Sequence, residues 1–163
     1  MKFGFPMRTL KEKYQGKLIY VTPGAGKTTA VENNLGVIDS DELMVDAIIE
    51  RHPDFKKKRG ESIQNYIQRF TAIFKYKTKI NNMVVRKSHE LQADNYTVLT
   101  GTLKIAPKAD FVFLIPPTNL RVQTRFGGID NASNWHQEEI NFLNSKNIHF
   151  EILNTEIEDR IFK

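Results

Sequence analysis

The chain has 163 residues, 40% apolar and 26% charged, the size and balance of one soluble domain with room for a core and little for a second module. No apolar run approaches the ~20 residues that cross a bilayer, which argues against a membrane protein; without cysteine the chain builds no disulfide or thiolate metal site, and without an apolar leader it is expected in a reducing cytoplasm. The formal charge of +5 is gathered in residues 51–87, where eleven Lys and Arg against Asp54 and Glu61 give a local +9 and leave the remainder at −4, a field that attracts a small anionic substrate or nucleic acid, or else coats a solvated helical face.

Residues 1–16 are polar and basic and carry no clear signal. Lys17 to Thr22 predicts a buried strand, which feeds directly into Gly24-Ala-Gly-Lys-Thr28. Gly24 and Gly26 let the backbone turn so that N–H groups around Ala25 converge on an anion. Lys27 has the reach for the outer phosphates of a nucleotide, and the Thr28 hydroxyl can ligate Mg²⁺. Gly24, Ala25, Gly26, Lys27, Thr28 and the adjoining Thr29 are therefore expected to bind a nucleoside triphosphate with Mg²⁺. Val21 stands where the full Gly-x-x-x-x-Gly-Lys-Ser/Thr pattern has its first glycine, and a β-branched residue cannot take a positive φ there.

A helix is expected from Gly26 to about Asn33, stopped by Asn33-Asn-Leu-Gly36. Val37-Ile38 reads as a second strand ending in Asp39-Ser-Asp41, with Asp41 capping a helix whose Leu43, Met44, Ala47 and Ile48 share a face. His52-Pro53 breaks that helix, and residues 56–60 read as a loop. From Glu61 to Leu91 the apolar positions keep helical spacing for so long that two helices, or one bent helix, are expected. Strands follow at Tyr96 to Thr100, Phe111 to Ile115 and His149 to Leu153. Between the last two lie helices near Asn119 to Arg125 and Trp135 to Leu143, and a short final helix begins after Thr155, with Glu158 placed to complete a capping box. This alternation predicts an α/β fold with three α/β/α layers on a parallel five-stranded sheet, its ligand at the carboxyl ends of the strands.

The residues at those ends are candidates for the chemistry of phosphoryl transfer. Asp39 and Asp41 follow the second strand, where one carboxylate can hold metal-bound water and the other accept the proton of an incoming hydroxyl. Arg121 and Arg125 lie four apart and project from one side of a helix, suited to developing phosphate charge, and Gly127-Gly128 gives that segment the freedom of a short lid. Surface arginines and a solvated Asp39 beside a capping Asp41 are the plainer alternatives. His52, His89, His136 and His149 lack metal-ligand spacing and read as surface or packing, and Trp135 and Phe142 read as core. No Gly-x-Ser-x-Gly elbow occurs.

In this order the motifs resemble the P-loop nucleoside and nucleotide kinase superfamily, over nearly the whole chain from Lys17 onward. Val37-Ile-Asp-Ser-Asp41 is similar to the acceptor-binding Asp-x-Asp of shikimate, gluconate and dephospho-coenzyme A kinases. Val98-Leu-Thr-Gly-Thr-Leu-Lys104 resembles the third-strand exit of the first two, where small residues such as Gly101 admit the acceptor. The resemblance implies a P-loop NTPase fold in one domain (1–163), with a helical acceptor-binding region at about 51–93 and a short lid at about 121–135. It implies Asp39 near the metal, Asp41 on the acceptor, Arg121 and Arg125 as lid arginines, and Asn154 in Leu153-Asn-Thr155 touching the base. The chain departs from the family at the third strand, where no acidic residue supplies the usual Walker B carboxylate and Asp39 is the substitute.

The expected activity is a Mg²⁺-dependent transfer of the γ-phosphate of ATP to a small anionic acceptor, a nucleotide or nucleoside first, with a carboxylated sugar or coenzyme precursor also fitting. Arg51, Arg59 and Arg69 are the basic residues expected to bind it. Two other readings keep the phosphate turn: a kinase of polynucleotide 5′-hydroxyls whose basic segment tracks the backbone, and a nucleotide-binding protein that acts through a partner without transfer.

Overall fold

Leu18-Ile-Tyr-Val21 is apolar at every position because both of its faces are covered; it forms the central strand, β1 (Leu18–Val21), of a five-stranded sheet. The computed structural model describes residues 8–32, 34–75 and 77–163. Expectations that fall on residues 1–7, on Asn33 and on the side chain of Lys77 lie outside the described residues. The other strands are β2 (Val37–Asp39), β3 (Thr97–Thr100), β4 (Phe111–Leu114) and β5 (Glu151–Ile152), in the order β2-β3-β1-β4-β5 with every pair parallel. Tyr20 lies opposite Thr100 on one side and Val112 on the other, and Asp39 lies opposite Leu99.

Alternation along the strands divides the core between two faces. Ile19, Val21, Leu99 and Phe113 pack with Ala30 of α1 (Lys27–Glu32) and with Ile157 and Ile161 of α7 (Ile157–Ile161). On the opposite face Leu18 and Val98 meet α2 (Ser40–Arg51), α3 (Ile63–Phe74) and α4 (Lys77–Ala93) through Met44, Ile48, Tyr66, Phe70, Ile80 and Val84. Tyr20, Val112 and Leu114 meet Leu143 of α6 (Ile129–Ser145) there. The parallel α/β sheet covered on both faces agrees with the sequence reading. Among the described residues no helix is long and apolar enough to cross a membrane.

Several boundaries differ for physical reasons. Of the two forms expected for the long apolar pattern after Glu61, the structure has two helices, divided where Lys75 turns left-handed (φ 56) behind α3. The last strand is shorter than expected, two exposed edge residues. Helix α6 begins six residues before Trp135, directly after Gly128 at φ 133. Leu103–Lys108 forms a 3-10 helix that the sequence reading left unassigned. The capping box at Thr155 does not form: Glu156 is the N-cap and makes no side-chain cap bond, while Glu158 is drawn to Arg121 instead.

The chain order places a crevice at the carboxyl ends of the strands. From β1 the chain leaves through α1 toward β2, whereas from β3 it passes to β4 on the other side of β1. Connections that depart in opposite directions from neighbouring strands leave a cleft outside their carboxyl ends. Gly24–Thr28, Asp39–Asp41, Gly101 and α5 (Leu120–Phe126) all follow those ends.

Candidate active site

Between β1 and α1 the chain reverses through Gly24 (φ 85) and Gly26 (φ 94), conformations that side chains rarely adopt. Ala25, wholly buried between them, donates its N–H to the Thr22 carbonyl at 3.2 Å. Helix α5 is seated directly on this turn. A Cβ at Gly24 would lie 2.5 Å from the Arg125 Cβ, and one at Gly26 would lie 2.5 Å from the Arg121 Nη1 and 2.7 Å from the Glu158 Oε2. Asn119 sets the start of α5 by accepting from the N–H groups of Arg121 and Val122, and buried Val122 fixes its rotation.

Lys27, the first residue of α1, donates from Nζ to the Asp39 Oδ1 at 3.2 Å and stands 3.6 Å from the Asp41 Oδ2. The cap of α2 is Asp39, whose carboxylate accepts from the Asp41 N–H at 2.9 Å; the expectation that Asp41 caps this helix is corrected. The strand runs one residue further than its apolar pair, so Asp41 falls inside the first turn and its side chain is released toward Lys27 and Gln64. Gln64 donates to the Asp41 Oδ2 at 3.0 Å and accepts from the Arg125 Nη2 at 2.9 Å, which ties α3 to α5 across the cleft. A Cβ on Gly101 would come within 3.3 Å of the Lys27 Nζ, so the small residue leaves the ammonium its position.

Burial raises the Asp39 carboxyl above its ordinary pKa, with Lys27 opposing the shift and the Asp41 carboxylate adding to it. At the end of β3, where an acidic residue is missing, Thr100 is buried and accepts from the Ser40 hydroxyl at 2.8 Å. Beneath the turn, Glu139 of α6 is fully buried and accepts from the Tyr20 hydroxyl at 2.5 Å and the Thr22 hydroxyl at 3.0 Å. The Thr22 hydroxyl also accepts the Ile115 N–H, so one carboxylate binds β1, the end of β4 and α6 together just below Gly24. Burial and the Glu139 carboxylate drive the Tyr20 phenol strongly upward, so it stays a donor.

Two cavities meet at Lys27. One, of about 450 Å³, is lined by Gly24, Gly26, Lys27, Thr28, Asp39 and both arginines of α5, with Leu120, Thr124 and Gln64. The other, of about 520 Å³, shares Gly24, Lys27, Gln64 and Arg125 and opens toward Asp41, Gly101, Gln68, Lys104 and Glu138, with Met44, Ile67, Leu103, Phe126 and Trp135 as its apolar wall. Phe126 and Trp135 stack there, 5.6 Å apart at 23°.

The fold therefore gathers Gly24, Gly26, Lys27, Thr28, Asp39, Asp41, Gly101, Arg121 and Arg125 at one cleft, with Ala25 buried in the turn and Thr29 half-buried on α1. Four other candidates line neither cavity. Arg51 is exposed at the end of α2 and Arg59 on the following loop; Asn154 is exposed after β5. Arg69 is committed to Glu61 through two bonds of 2.8 Å and covers the Phe55 ring. Gln64, Trp135 and Glu158 were not singled out for the site by sequence. The i, i+4 spacing of Gln64 and Gln68 on α3 was the available signal for one face of that cleft.

The residues present suit a magnesium nucleotide. Among the described residues no group of three or more His, Asp or Glu is arranged to hold a metal alone. Mg²⁺ keeps several waters and takes one or two carboxylates plus phosphate oxygens, a demand that Asp39 and the Thr28 hydroxyl can meet beside the turn. Compared with known proteins, the chain matches no family model and no curated sequence significantly.

Proposed function

We propose that the chain is a Mg²⁺-dependent ATP kinase of the P-loop nucleoside and nucleotide kinase kind, acting on a small acceptor, a nucleotide or nucleoside. The observation that carries this reading is the position of Lys27, at the junction of the two cavities and within 3.6 Å of both carboxylates of Asp39-Ser-Asp41. Bound Mg²⁺·ATP supplies the activated γ-phosphoryl group; everything else is the work of this chain. The glycine turn and Lys27 hold phosphate charge, Thr28 and Asp39 hold the metal, and Arg121 and Arg125 bear on the transferred group from α5.

The second cavity is the acceptor side of this reading. Asp41 faces it beside Lys27 and is the residue that accepts the hydroxyl proton. Its aromatic and aliphatic wall, with the amides of Gln64 and Gln68 at its edge, suits a planar ring bearing hydrogen-bonding groups, which favours a nucleobase over a carboxylated sugar. Arg51, Arg59 and Arg69 have no part in this version, because they line neither cavity.

The test is transfer of labelled γ-phosphate from ATP to a panel of nucleosides, nucleotides and carboxylated metabolites. Transfer to a nucleoside or nucleotide, lost by at least 100-fold in Lys27→Ala, is the expected result. Transfer that survives Lys27→Ala, or a chain that does not bind Mg²⁺·ATP by calorimetry, overturns it. A second reading has its own observation: Lys56, Lys57, Lys58 and Arg59 are four consecutive exposed cations on one loop. A polynucleotide acceptor would use them, and its binding would weaken steeply with salt as counterions are released.

A further inference from the structure

Glu158 is a side chain that the reading above does not use, and its surroundings are unusual. It lies in the first turn of α7 with its side chain only 8% exposed, far in sequence from the glycine turn, and it reaches over that turn. Its Oε1 accepts from the Arg121 Nη1 at 2.9 Å, and Glu156 stands behind at 3.6 Å from the same nitrogen. Its Oε2 is buried without a hydrogen-bond partner among the described residues and lies against the Gly26 Cα face. The Glu158 bond raises the Arg121 pKa further, so the guanidinium is permanently charged.

A buried carboxylate with one oxygen unpaired is costly, and a surface helix cap does not require it. The geometry accounts for its placement. A guanidinium presents donors on two edges. Glu158 and Glu156 engage one nitrogen, Nη1, and among the described residues Nε and Nη2 make no hydrogen bond, although the side chain lines the 450 Å³ cavity. The pair thus fastens Arg121 through Nη1, the nitrogen that lies against Gly26, and leaves Nε and Nη2 for a ligand in that cavity.

We propose that Glu158 is a positioning residue for a triphosphate ligand: it holds the Arg121 guanidinium across Gly26, so that the free edge of the fork meets phosphate oxygens without a search through rotamers. The inference rests on the nucleotide reading of the cleft and adds to it a residue from the far end of the chain. It also gives a reason for glycine at 26 beyond the backbone turn, because any side chain there would enter the space of the Arg121–Glu158 pair. Positioning of this kind lowers the ordering cost that a long flexible side chain otherwise adds to binding.

The experiment is a double-mutant cycle on the full chain, read by calorimetry with Mg²⁺·ATP and, separately, with magnesium tripolyphosphate. Glu158→Gln and Arg121→Ala are each expected to weaken both ligands by about 10-fold, and the double variant to be no weaker than Arg121→Ala alone, since Glu158 acts only through Arg121. Thermal melting of the apo variants is measured alongside, because a purely structural role lowers the melting temperature without producing this non-additivity. Unchanged or tighter binding in Glu158→Gln overturns the inference, as does a double variant whose loss is the product of the two single losses. A wild-type chain that ignores both ligands overturns the nucleotide reading and this one with it, whereas wild-type binding indifferent to Glu158→Gln overturns this one alone.

Discussion

Arg121 and Gly26 occupy adjoining space so tightly that the Nη1 of one lies 2.5 Å from where a Cβ on the other would stand. The same holds one turn along α5, where the Arg125 Cβ lies 2.5 Å from the Cβ position of Gly24. Two glycines two apart on a turn and two arginines four apart on a helix are thus a single packed unit. Each partner fixes what residue the other position tolerates.

These two contacts have different consequences on substitution. Gly24→Ala meets the root of Arg125, a Cβ carried by the helix backbone, so α5 itself must shift; with the positive φ, the cost is expected to exceed about 2 kcal/mol. Gly26→Ala meets the tips of two side chains, which can swing aside, so its cost is expected near 1 kcal/mol. Urea denaturation ranks the two, and a larger loss at position 26 would contradict the packing described. Both variants are expected to lose Mg²⁺·ATP affinity by 10-fold or more.

Asp39 is expected to burden the apo fold at neutral pH. Its carboxyl pKa is raised above the ordinary 3.8 mainly by burial, so the folded state takes up the proton more readily than the unfolded one. The group therefore favours folding most below 3.8, and that contribution is lost as pH rises through the folded value. Asparagine keeps the cap acceptor and removes the charge, while Asp41 remains 3.6 Å from Lys27. Asp39→Asn is expected to raise the apo melting temperature at pH 7 by about 2 °C and to weaken Mg²⁺·ATP by at least 10-fold. A lower melting temperature by scanning calorimetry would show that the Lys27 pair outweighs burial.

Glu139 anchors the base of the turn. Truncation to alanine strips the buried Tyr20 and Thr22 hydroxyls of their shared acceptor, and Glu139→Ala is expected to cost about 2–4 kcal/mol in urea denaturation. Glu139→Gln retains an acceptor oxygen and is expected to cost less than half as much. Equal losses in the two variants would mean that volume, not hydrogen bonding, is what Glu139 supplies.

Acid is expected to loosen the loop before α3. The Arg69 fork, with help from the Lys58 N–H, holds the Glu61 carboxyl down at about 2 against an ordinary 4.5. A lowered carboxyl pKa contributes stability that is whole above 4.5 and lost as pH falls toward 2. The wild-type urea midpoint should fall between pH 5 and pH 2.5, and that fall should be shallower in Glu61→Gln. Parallel pH profiles for the two proteins would remove the clasp from the account.

Much of this architecture is written in neighbouring residues. The unbroken apolar run of Leu18–Val21 specifies a strand covered on both faces, the glycines at 24 and 26 specify the turn after it, and His52-Pro53 ends α2 because proline cannot extend a helix. Interactions this local need only the chain's own periodicity and turn chemistry, so reading along the sequence recovers them. The tertiary structure alone decided which charges are spent and which face the cleft. Arg69 looked available until Glu61 folded against it, Asp41 looked like a cap until β2 ended at Asp39, and Trp135 looked like core until α6 turned its ring to a cavity wall. Glu158 reaches Arg121 across 37 residues of chain only because α7 packs beside α1 on one face of the sheet. Such pairings depend on strand order and crossover direction, which place residues distant in sequence within bonding distance and leave no local pattern to announce it.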